Sequence, residues 1–169
     1  DSSFNYWTAN LGFVISYPIN PNNEIRLRFY NQGAYLPLPA TKLAYVGGMG
    51  SLRGYEFNEF KGSMLEMINI EYERSFYPRL INEGRKFNKI GLMLFFDYAT
   101  IGSMKREDMS WKNIFDCDCD VTKTSLGFGI NLLDDYTILA AKRMDRDVDD
   151  WSILIEFGSF INRKYPYPR

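Results

Sequence analysis

Alternation of apolar and polar side chains with a period of two, sustained for about twelve residues at a time, most restricts how this chain folds. Between Tyr6 and Tyr17 the odd positions read Trp7, Ala9, Leu11, Phe13, Ile15 and Tyr17, and the even ones Tyr6, Thr8, Asn10, Gly12, Val14 and Ser16. Successive side chains of a β-strand point to opposite faces, so this segment is a strand with one apolar face and one small, polar face. The same period returns where Ile25, Leu27 and Phe29 oppose Arg26, Arg28 and Tyr30, and across Met64 to Phe76, where Ile68, Ile70 and Tyr72 oppose Asn69, Glu71 and Glu73. Over Lys89 to Ile101, Ile90, Leu92, Leu94, Phe96 and Tyr98 share a face opposite Gly91, Met93, Phe95 and Asp97. Val121 to Leu133 sets Leu126, Phe128, Ile130 and Leu132 against Lys123, Ser125, Gly127, Gly129 and Asn131; Tyr136 to Met144 and Trp151 to Ile161 are further strands. No segment carries a helical period. The pattern predicts an all-β, antiparallel domain of about seven strands spanning 1–169.

The connections add a second constraint. Turns at Pro18 to Asn23, Pro78 to Asn88 and Leu133 to Tyr136 alternate with longer loops at Leu36 to Gly62, Gly102 to Asp120 and Asp145 to Asp150. No apolar run reaches the roughly 18 residues that a membrane helix requires, so a place in a membrane would have to be that of a barrel. In a soluble sandwich or lipocalin-like barrel the apolar face points inward; in an outer-membrane barrel it points into lipid and the interior is polar. Strands of about 10 to 13 residues suit a tilted bilayer crossing. Short and long connections alternate as they do on the two sides of such a barrel, and glycines on the polar face (Gly12, Gly91, Gly127, Gly129) suit a crowded interior. The expectation is an antiparallel transmembrane β-barrel in contact with outer-membrane lipids.

Composition removes several functions. Histidine is absent, so Ser-His-Asp and Cys-His catalysis and His-ligated zinc are excluded. Twenty basic residues against 21 acidic ones leave no basic field for nucleic acid. Cys117 and Cys119, one residue apart between aspartates, read as exposed loop thiols on the outer side. The charges on the polar faces, Arg26, Arg28, Glu71, Glu73 and Lys123, read as lining of the lumen, since nothing pairs two carboxylates in an apolar pocket. No enzyme activity, metal or cofactor is expected.

The long loop reads Gly47-Gly48-Met49-Gly50-Ser51-Leu52-Arg53-Gly54-Tyr55, and a later strand carries Phe95-Phe96-Asp97-Tyr98-Ala99. With Asn69-x-Glu71-Tyr72, Gly127-x-Gly129 and Ala141-Lys142-Arg143, this combination resembles the bacterial surface antigen superfamily of outer-membrane barrels, the BamA/TamA type. The chain departs from it at Ala99, where the family usually has glycine. The resemblance implies that these strands are the C-terminal part of a 16-stranded barrel in the bacterial outer membrane. It also implies that the Gly-rich Arg-Gly-Tyr loop at 37–62 folds back inside, with Arg53, Gly54 and Tyr55 locked to the wall through Asp97. The implied function is insertion or translocation of proteins at that membrane, with client proteins or other envelope proteins as partners. Two alternatives stand beside it: a barrel anchoring a larger patatin-like or phosphoesterase enzyme chain, and a small structural or pore barrel that closes by oligomerisation.

Overall fold

The structure, a computed structural model, describes residues 6–35, 38–76, 90–102, 121–132, 136–145 and 150–157. Its strands in chain order are β1 (Trp7–Asn20), β2 (Asn23–Tyr35), β3 (Ala44–Val46), β4 (Phe60–Gly62), β5 (Met64–Phe76), β6 (Ile90–Gly102), β7 (Val121–Leu132), β8 (Tyr136–Arg143) and β9 (Trp151–Phe157). Seven of them lie side by side in one antiparallel sheet, in the order β1-β2-β5-β6-β7-β8-β9. The sheet is open: β1 and β9 are its two edges and do not pair with each other. The remaining two, β3 and β4, pair antiparallel as a separate short hairpin. Among the described residues no helix is long and apolar enough to cross a membrane.

The first strand runs further than its sequence suggests. The prolines at 18 and 21 predict a turn from Pro18, yet β1 continues to Asn20 with a register shift between Pro18 and Asn20, and the turn itself is Pro21-Asn22. Proline is tolerated there because β1 is an edge strand, where the missing N–H breaks no ladder on the open side. Asn20 then organises the turn, its Oδ1 accepting from the Asn22 backbone N–H at 2.9 Å and from the Asn23 side chain at 2.7 Å. The second difference lies in the long loop, which was expected to lack strands. Its three-residue strands β3 and β4 are too short to show any period.

The two faces of the sheet differ in kind. One carries Ile15, Leu27, Ile70, Phe96 and Leu126, which sit level with one another through successive registers. Much of this apolar face is open, with Leu94 59% and Ile153 73% exposed. The other face is where burial concentrates. The β3–β4 hairpin and the loop at its tip cover it, packing Val46, Leu52 and Tyr55 against Tyr30, Met67, Ala99 and Ile101. A second cluster joins Met93, Phe95, Leu139 and Ala141, with Met49 and Leu154 against it. Ala99 is fully buried there, so a methyl group stands where the resembled family has glycine.

The sheet is strongly curled. Arg53 bonds Asp97 on β6, while the carbonyl of the very next residue, Gly54, accepts from Ser152 on β9 at 3.2 Å. Those strands are three places apart, about 14 Å along a flat sheet at ~4.8 Å per strand. Adjacent residues reach both only because the wall wraps around them. Crowding inside the curl explains the small residues on this face. A Cβ at Gly127 would lie 2.1 Å from the Ala140 carbonyl oxygen and 2.5 Å from Phe95 Cζ. At Gly91 the closest atom, at 2.9 Å, is the end of the flexible Glu73 side chain. Gly127→Ala should therefore lower stability by about 1–3 kcal/mol, the usual range for overpacking, and Gly91→Ala by clearly less; equilibrium unfolding of the two variants checks the ordering.

Candidate functional site

The site is the place where the tip of the β3–β4 hairpin meets the inner face. Gly47, Gly48 and Gly54 all have positive φ, and Gly54, at +91°, lies against Ala141, whose Cβ is 3.3 Å from where a Gly54 Cβ would be. A side chain at 54 would be strained in its backbone and pressed on β8 together. The loop is also bonded to itself: the Gly48 N–H donates to the Leu52 and Tyr55 carbonyls, and the Gly47 N–H to Ser51 Oγ at 2.9 Å. These bonds present Arg53 toward the wall.

Asp97 receives it. The carboxylate accepts from Arg53 Nε at 2.9 Å, Arg53 Nη2 at 2.5 Å and the Arg53 backbone N–H at 2.9 Å. Asn69 Nδ2 at 2.8 Å and Ser125 Oγ at 3.2 Å complete its shell. Asp97 is wholly buried and the Arg53 side chain 3% exposed. Five donors from one loop and two strands satisfy a charge that would otherwise be very costly to bury. The guanidinium is equally engaged: Nη1 reaches Glu71 Oε1 at 2.7 Å, and its carbon lies 3.8 Å from the centre of the Phe95 ring. Phe95 in turn lies over Gly127, so the absent side chain at 127 is what lets the ring stack under Arg53.

The remaining expected residues also lie on the inner face, in different company. Glu71 bridges Arg53 and Arg26, the latter at 3.0 Å. Arg28 donates from Nε to Asn69 Oδ1 at 2.8 Å, and Asn69 also donates to the Ser51 carbonyl. Glu73 acts on Arg26 through its charge and is buried beside Asn131, whose side chain donates to it at 3.2 Å and accepts from Thr137. Lys123 sits at the other end of the face with Asp145, 2.5 Å away. Tyr55 does not touch Asp97; its hydroxyl donates to the Thr124 carbonyl at 3.0 Å. Cys117 and Cys119, and the turns at 78–88 and 133–135, lie outside the described residues.

A second cluster of charge, which the sequence did not bring together, holds the far side of the loop. Arg143, the last residue of β8, grips Glu59 with both terminal nitrogens, at 3.0 and 3.4 Å, and lies over the Tyr55 ring at 4.1 Å. Its Nε also reaches Asp145 at 3.4 Å. Burial pushes the Asp145 carboxyl up, but hydrogen bonds from Lys123 and Arg143, with the Tyr55 hydroxyl beside them, outweigh it and hold the group down at about 2. Burial and the same aspartate raise the Tyr55 phenol to about 12. The inward-pointing period hinted at Ser125, and at Asn69 together with its place in the motif that carries the resemblance. Glu59 and Arg143 are 84 residues apart, and nothing in the local sequence of either announces the other.

No family model matches the chain, and no curated protein matches it.

Two outcomes follow from this geometry. Replacing Arg53 with Ala strands a buried carboxylate and should cost about 3–5 kcal/mol; Arg53→Lys, which keeps the charge but not the two-pronged geometry, should recover only part of it. Unfolding titrations of both variants measure this, and an Arg53→Ala loss below 1 kcal/mol would contradict the burial described. Asp145 binds its proton more weakly folded than unfolded. Its contribution is therefore complete above about pH 5 and lost as the pH falls through 4 toward 2. Asp145→Asn should flatten that part of the stability profile and leave the profile above pH 5 with its original slope.

Proposed function

We propose that this chain is part of a transmembrane β-barrel of the bacterial outer membrane, of the BamA/TamA type, taking part in the insertion or translocation of proteins there. The apolar face then meets lipid, and the curled inner face with its docked loop is the wall of the lumen. The observation that carries the reading is where the two tryptophans among the described residues fall. Trp7 and Trp151 both stand on the apolar face, at the ends of β1 and β9 that start from the same side of the sheet. Through the registers Trp151 is level with Lys142, Leu126, Phe96, Ile70, Leu27 and Ile15, eight residues along β1 from Trp7.

Eight residues are about 27 Å along a strand, and the six steps from β1 to β9 are about 29 Å across the sheet. A single plane through both indoles therefore crosses strands tilted by about 43°, within the range of roughly 35–45° found in outer-membrane barrels. Tyrosines 17, 72 and 136 stand toward the opposite end. From Trp7 to Tyr17 a strand at that tilt rises about 25 Å, the height of the apolar band of such barrels. A soluble sheet gives no reason for aromatic boundaries to run obliquely.

Transport is supported by the two open edges. A sheet with unpaired outer strands can continue into further wall strands, and it can also template an incoming strand. Neither alternative raised by the sequence, an enzyme anchor or a small pore, has an observation of its own here.

The protein should fractionate with outer membranes, and its depletion should slow the assembly of other barrels; recovery as a detergent-free soluble monomer would overturn the membrane reading. A sharper test uses Leu94, near the middle of the apolar band. Leu94→Arg should cost about 2–4 kcal/mol in lipid, as an arginine at mid-bilayer does. In a water-facing sheet, replacing an exposed leucine would be close to neutral.

A further inference from the structure

The loop on the inner face is held at two places that differ in their physics. Its root, Arg53 with Asp97, is dry, with side-chain exposures of 3% and 0%. Its outer half is held by Glu59 with Arg143, 23% and 10% exposed, backed by Asp145 and Lys123. Ion pairs open to water are weakened by salt, whereas buried ones are screened far less. Arg143 also has a second carboxylate within reach: Asp145 stands 3.4 Å from its Nε, so when Glu59 leaves, the guanidinium is not stranded. Beside Asp97 the cation that bonds it directly, among the described residues, is Arg53, with Arg28 acting on it from further off through the shared Asn69.

We propose that Glu59 and Arg143 form a releasable clasp, distinct from the root, that ties the outer half of the loop to β8 and β9 and lets this end of the sheet open while Arg53 stays in place. The connection to the edge runs through the joint at Gly54. Gly54 carries the bond to Ser152 on β9 and the packing on Ala141 of β8; Tyr55 lies beneath Arg143. The backbone at the joint is glycine at 54, with φ +91°, so residues on its outer side can swing without disturbing Arg53. Opening the clasp thus loosens the loop from Tyr55 onward and the β9 edge together. The strand that can accept a partner becomes free under the control of a side chain 84 residues before its neighbour. The contacts concerned are the same whether the outer face meets lipid or water, so this inference and the membrane reading fail separately.

Amide hydrogen exchange of the full chain in detergent tests it. Glu59→Gln and Arg143→Gln should each speed exchange at least tenfold over residues 54–62 and 151–157. The double variant should be no faster than the faster single one. The Arg53 amide, which donates to Asp97, reports on the root and should remain as slow as in the parent. Raising the salt from about 0.1 to 1 M, which shortens the screening length from about 10 to 3 Å, should speed the same two regions in the parent and leave Glu59→Gln unchanged. Unaltered exchange at 151–157, additive effects of the two substitutions, or an Arg53 amide that accelerates in step would each overturn the clasp as a separate device.

Discussion

The fold depends on one buried carboxylate. Asp97 stands on the central strand β6, at the middle of the curled wall, and gathers donors from Arg53, from Asn69 on β5 and from Ser125 on β7. A carboxylate there is costly without a full shell of donors, so the shell specifies the conformation: the hairpin tip has to be inside, and the three strands have to be in this register. A one-residue slip would turn Asn69 or Ser125 to the other face and leave the charge short of partners. Neighbouring features serve this contact. Gly127 makes room for Phe95, Phe95 supports the guanidinium, and Glu71 divides its charge between Arg53 and Arg26.

Around that centre the usual distribution of a soluble protein is inverted. Charge and amide groups are buried with partners under the hairpin, while large apolar side chains fill the opposite face and stay open. Open apolar faces of this kind are sites of contact with another apolar surface. Small inward residues and bulky outward ones are two aspects of one geometry, because curling a sheet compresses one face and spreads the other.

Much of this was legible in the sequence where a period operates. The strands β2, β5, β6 and β7 alternate so strictly that their inner and outer residues could be assigned one by one, Asp97 among them. Legibility fails where a period is too short or where contact depends on distance along the chain. Strands β3 and β4 have three residues each; Pro18 hides the last three residues of β1, itself included, because edge strands relax the rule against proline. Arg53 and Asp97 were named through a family resemblance and not through spacing. The Glu59 and Arg143 contact had no such help, since curvature alone brings residue 59 to the end of β8.

The docked loop also has a consequence for how the chain comes together. Its partners lie downstream by 44 residues at Asp97, 69 at Thr124, 84 at Arg143 and 98 at Ser152. Contacts so distant in sequence form late, after the entropy of closing long segments has been met. Each successive strand therefore adds one hold on a segment made long before it, and the last hold becomes available only when β9 is in position. The loop keeps a tally of the wall: a sheet missing β9 leaves Gly54 without its bond and the tip incompletely seated, so the folded interior itself distinguishes a wall that has reached β9 from one that has not.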